Sequence, residues 1–189
     1  MKNFCYKTSS GKSIKVFKDV YSYSHRLSLL KWILKCPFTF NHSNDSTISS
    51  FKSNLILSGH PSISTDELEK ILNFDNDTTN PIKNEIGIDR ILKRCWINVD
   101  FSKNSTYYHC DEFKEGCISL LYYANLEWDN SWDGHTIWSS ENLNHIEHIE
   151  PYEPGKIVIF DSSIPHKACS SSPESPSYRF TFNSIWDKT

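Results

Sequence analysis

The sequence predicts a mainly β fold of the sandwich or jelly-roll type, with helices confined to its first half. Three observations carry that expectation. Short runs of strand-forming residues, separated by turns, follow one another from Cys95 to Trp186. Phe, Trp and Tyr make up 14% of the 189 residues, a wealth of rings that favours pleated, half-buried surfaces. Amphipathic helical spacing, by contrast, is found only before residue 93. A chain of this length buries a core without staples, so one domain over residues 1–189 is expected, with 1–92 as a helical and strand support region and 93–189 as the β core.

In order, Gly11 to Tyr21 alternates Ile14 and Val16 with lysines and reads as a first, edge-type strand. Ser22 to Leu34 repeats Leu27, Leu30, Ile33 and Leu34 at helical spacing, with Ser22 or Ser24 as N-cap and Pro37 closing the segment. Phe38 to Ser53 is dense in Ser, Asn and Thr, which compete with the backbone for hydrogen bonds, and is expected to be loop. Ser64-Thr65-Asp66-Glu67 is a capping box that opens a second helix buried through Leu68, Ile71 and Leu72. Asn73 to Asn80 breaks it, Pro81 starts a new turn, and Ile82, Ile86 and Ile91 leave helix and strand open to about Lys93. Cys95 to Phe101 reads as strand, Ser102 to Ser105 as turn, and Thr106 to Asp111 as strand again. Four further strands are expected at Cys117–Tyr123, Thr136–Ser139, Lys156–Phe160 (after the Pro154-Gly155 turn) and Tyr178–Trp186.

Composition narrows the function. A net charge of −3 and a pI near 6.2 give no basic footprint, so binding to a nucleic-acid backbone is not expected. No apolar run approaches the roughly 20 residues that span a bilayer, and Met1 to Ser10 does not resemble a signal peptide. The six cysteines form no C-x-x-C pair, which fits free thiols in a reducing cytoplasm.

On a strand, Tyr107, His109 and Asp111 of Thr106-Tyr107-Tyr108-His109-Cys110-Asp111 would share one face. An imidazole and a carboxylate side by side are two-thirds of the two-His, one-carboxylate site that holds non-haem Fe(II). His166 follows a buried strand and Arg179 stands on the last one. The ordered set is informative where H-x-D alone is not. A second His/Glu group, Asn144-His145-Ile146-Glu147-His148-Ile149-Glu150, puts His145 and Glu147 on one face but not His148, and reads as a solvated hairpin.

The segment from Trp96 to Trp186 resembles the double-stranded β-helix (jelly-roll, cupin-like) core of the Fe(II)- and 2-oxoglutarate-dependent dioxygenases, in their prolyl-4-hydroxylase-like branch. The resemblance rests on His109-Cys110-Asp111, on Leu121-Tyr122-Tyr123-Ala124-Asn125 with Trp128 and Trp132-Asp133-Gly134, on Pro154 to Asp161 leading to Ile164-Pro165-His166, and on Tyr178-Arg179-Phe180-Thr181. It implies a catalytic Fe(II) held by His109, Asp111 and His166, and 2-oxoglutarate anchored through its distal carboxylate by Arg179, with Thr181 and Tyr123 on the same group. Tyr107 and Asn98 are further candidates for the cavity wall. The implied reaction uses O2, releases succinate and CO2, and hydroxylates an unactivated C–H of a small molecule or a prolyl-type peptidyl substrate, with ascorbate as a candidate accessory reductant. Relatives often carry Trp-Gly-Gly-Glu where this chain has Trp132-Asp133-Gly134-His135, a change expected to bear on substrate choice. The competing expectation is a non-catalytic, cupin-like metal-binding module, which would have no need of Arg179.

Overall fold

The structure is a computed structural model that describes residues 1–42, 55–59, 61–74, 81–87, 89–100, 102, 106–175 and 178–188, with the backbone alone for 39–42 and 55–59. Eight antiparallel strands form the main sheet: β1 (Lys2–Lys7), β2 (Ser13–Lys18), β3 (Phe38–His42), β4 (Leu55–Gly59), β5 (Arg90–Asp100), β6 (Ile118–Tyr123), β9 (Ile157–Asp161) and β11 (Arg179–Lys188). Their order across the sheet is β1-β2-β9-β6-β11-β5-β4-β3. A second sheet of three strands, β7 (Thr136–Ser139), β8 (Ile146–Glu150) and β10 (His166–Ala168), runs in the order β10-β7-β8. Together they make the double-stranded β-helix.

Period-two alternation divides the main sheet's side chains between two cores. One face carries Phe17, Ile97, Leu120, Tyr122, Ile157, Ile159, Phe182 and Trp186. Against it pack α1 (Tyr23–Ile33), α2 (Thr65–Ile71) and α3 (Pro81–Ile86), through Leu29, Ile33, Leu68, Ile82 and Ile86. The other face carries Ile14, Val16, Leu121, Tyr123, Val158 and Phe160 and is closed by Trp138, Tyr152 and Ile164. Two of the three described α-helices, α1 and α2, begin where the sequence provides a cap. Ser22 accepts from the His25 amide, and Ser64 and Glu67 complete the reciprocal capping box.

Three expectations need correction. Phe38–His42 is strand and not loop, because its backbone pairs with β4, itself unforeseen; residues 43–53 lie outside the described residues. The edges of the main sheet are β1 and β3, and the expected edge strand, β2, pairs on both sides and buries Ile14, Val16 and Phe17. Thr106–Asp111 is no regular strand. It lies along β10, with the Thr106 amide bonded to the Ala168 carbonyl at 3.1 Å and His109 paired with His166, so three residues advance on one side for two on the other. That irregular register breaks the simple alternation of faces.

Candidate metal and anion site

His166 opens β10 and its ring is wedged edge-on against Phe160, with centroids 4.8 Å apart. His109 is tied to it through the backbone in both directions, at 3.0 and 2.9 Å. Each ring gives its Nδ1 to a carbonyl two residues earlier: His109 to Tyr107 at 3.0 Å, His166 to Ile164 at 2.9 Å. With Nδ1–H as donor, both Nε2 atoms present lone pairs, and they face the same oxygen, Asp111 Oδ1, at 3.8 and 3.7 Å. The other oxygen, Oδ2, accepts from Ser119 Oγ at 2.6 Å. Burial holds the His166 imidazole below its ordinary value, against the pull of Asp111, and so in the neutral form a metal requires. The three donor atoms lie within 4.8 Å of one another. Two oriented imidazoles and a carboxylate with its second oxygen already fixed suit a divalent first-row metal with open coordination positions.

Behind these residues β5 and β11 project one face of each strand into a cavity of about 50 Å³. Register pairs Arg179 with Asp100, Thr181 with Asn98 and Asn183 with Trp96, and all but Asp100 line the cavity beside the three donors. Arg179 is 1% exposed. Its Nε donates to the Gly134 carbonyl at 2.8 Å and its Nη1 to Asp100 Oδ2 at 2.6 Å, while Nη2 is 3.4 Å from Thr136 Oγ1. The guanidinium carbon sits 4.9 Å from the Tyr152 ring centroid and 5.7 Å from that of Tyr123. Gly134 is required here: its φ is +82°, and a Cβ would stand 3.1 Å from Arg179 Cδ.

The fold thus gathers His109, Asp111, His166, Asn98, Arg179 and Thr181 around one cavity. Tyr123 is fully buried next to it and donates to Thr136 at 2.9 Å. Tyr107 stands outside, 42% exposed, and contributes its carbonyl to His109. Sequence reasoning missed Ser119, Thr136, Asn183 and Asp100, whose places depend on pairing between strands distant in sequence. Parity could have found Asn183, two residues beyond Thr181 on the same strand face. The His145 region forms the expected hairpin strand, β8, but not a fully solvated one: Glu150 is buried and lies 2.9 Å from His148, while His145 is 3.1 Å from Glu147.

A double-stranded β-helix with two imidazoles and a carboxylate turned toward a buried guanidinium defines a class of metal-binding barrel equipped for an anionic ligand. Residues 98–186 match the family model described as the 2OG-Fe(II) oxygenase superfamily, which marks the chain as an oxygenase using Fe(II), 2-oxoglutarate and O2. Among similar solved structures is a Trichoplax adhaerens prolyl hydroxylase in complex with a hypoxia-inducible-factor degradation-domain peptide (15% identity, TM-score 0.64, covering 92% of this chain and 82% of that one). Another is a Pseudomonas putida prolyl-4-hydroxylase (13%, TM-score 0.62, 93% and 92%). A third is HygX from Streptomyces hygroscopicus, with nickel and 2-oxoglutarate bound (10%, TM-score 0.62, 93% and 83%). No curated protein sequence matches the chain at a significant level. Among the described residues no helix is long and apolar enough to cross a membrane.

Proposed function

We propose that this oxygenase hydroxylates an unactivated C–H of a small molecule or of a prolyl-type peptidyl substrate. One atom of O2 would enter the product and the other the succinate formed, with CO2, from 2-oxoglutarate. The observation that carries the reading is the convergence of His109 Nε2, His166 Nε2 and Asp111 Oδ1 in the cavity that also holds Arg179. His109, Asp111 and His166 would hold Fe(II), which supplies the oxidative chemistry when bound. Arg179 would receive the distal carboxylate of 2-oxoglutarate, with Thr181 and Asn98 along the cavity wall and Tyr123 behind it through Thr136. Tyr107 would act through its carbonyl, which fixes the His109 tautomer. The peptide held by the Trichoplax enzyme supports a peptidyl substrate, and the absence of disulfides among the six cysteines supports a reducing cytoplasm.

Anaerobic titration of the Fe(II)-loaded protein with 2-oxoglutarate tests the reading. A weak visible charge-transfer band is expected in the wild type and not in His166→Ala. Iron binding without any band would instead favour the non-catalytic metal-binding module.

A further inference from the structure

Among the described residues, Asp100 is a charged group at the Arg179 anchor for which the proposed chemistry has no use. It is 1% exposed, stands directly across the β5–β11 ladder from Arg179, and takes Nη1 through Oδ2. Its Oδ1 is buried with no hydrogen-bond partner among the described residues. With Nε committed to Gly134, a carboxylate arriving at Arg179 must bond Nη2 or share Nη1 with Asp100. Either way the incoming carboxylate shares one buried guanidinium with Asp100, which already holds Nη1 at 2.6 Å.

Charge then decides the outcome. One guanidinium cannot neutralise two carboxylates in a dry site, where like charges at contact cost far more than in water. Among the described residues, the cation beside the Tyr123 ring, Lys156 at 6.0 Å, is already paired with Glu150. The phenols and the thiol facing the pair from neighbouring elements stay neutral. Burial pushes up the Tyr123 and Tyr152 phenols and the Cys169 thiol, and Asp133 lies 3.5 Å from His135 on the Gly134 loop. Burial also pushes the Asp100 carboxyl up, against the field of Arg179, the charged partner that acts on it.

We propose that Asp100 is a positioning residue that takes up one proton, on Oδ1, when the distal carboxylate of 2-oxoglutarate binds Arg179, so that cosubstrate affinity rises as pH falls. This rests on the reading of Arg179 as the anchor. The proton comes from the buffer and neutralises Asp100, which leaves the guanidinium's charge to the ligand. Since the bound state holds one more proton than the free state, Kd rises about tenfold per pH unit between the two pKa values of Asp100.

Anaerobic calorimetry of the Fe(II)-loaded protein in two buffers of different ionisation enthalpy measures that proton. Uptake approaching one proton is expected with 2-oxoglutarate, and none with 2-oxobutyrate, which forms the same metal chelate but lacks the distal carboxylate. Asp100→Asn should abolish the uptake, flatten the pH dependence of Kd and tighten binding at the alkaline end. The 2-oxobutyrate comparison decides the matter in the wild type even if that variant does not fold. Binding of 2-oxoglutarate without uptake, or equal uptake with both ligands, overturns the proposal while sparing the anchor. Failure of 2-oxoglutarate to bind at all overturns the anchor and the proposal with it.

Discussion

Asp111 divides its two oxygens between two tasks. Oδ1 faces the imidazoles, and Oδ2 is held by Ser119, whose Oγ lies 2.9 Å from Ser162 Oγ. Ser119 has one hydrogen and gives it to the carboxylate, so Ser162 donates to Ser119 and the chain of hydroxyls aims the ligand. Ser119→Ala should weaken metal binding by roughly 10- to 100-fold, measured by competition with a chelator. The Asp100–Arg179 pair calls for a different test. Arg179→Met leaves a buried carboxylate without its partner and should cost about 3–5 kcal/mol in denaturant unfolding, with much of it recovered by adding Asp100→Asn. At this scale the H-x-D motif, the later His166 and Arg179 were legible because their spacing carries the chemistry. Asp100 was not. Its role comes from lying opposite a residue 79 positions away, and no local pattern encodes that register.

Elements show the same division between local and distant causes. Ser22 and Ser64 announced their helices because a cap's partner is three residues along. β1 and β3 were not readable: Lys2–Lys7 is exposed along its whole length and has no apolar face to betray it. Strand β8 carries an element-scale consequence. Its Glu150 is buried, and although burial opposes the charge, bonds from His148 and Lys156 outweigh it and hold the carboxyl below the ordinary 4.5. A carboxyl lowered in the fold contributes stability above its unfolded pKa, which is lost as pH falls through the folded value. Unfolding free energy should therefore drop below about pH 4.5, and drop less steeply in Glu150→Gln, measured by denaturant titrations across pH 3–6.

At the scale of the whole molecule, two apolar cores on either face of one sheet hold the barrel independently of any metal. Removing the metal should therefore lower stability without unfolding the chain. At a hundredfold excess over Kd, a divalent metal adds about 2.7 kcal/mol, a Tm rise of roughly 5–10 °C over the chelator-treated protein in a thermal melt.

The reciprocal backbone bonds between His109 and His166 also set an order of events in time. They close a long loop, and the strand completing the cavity, β11, inserts between β6 and β5 in the middle of the sheet. Such long-range pairings form late in folding. A growing chain would carry its histidines well before it owned a binding site, and iron would be acquired by a finished barrel instead of guiding its assembly.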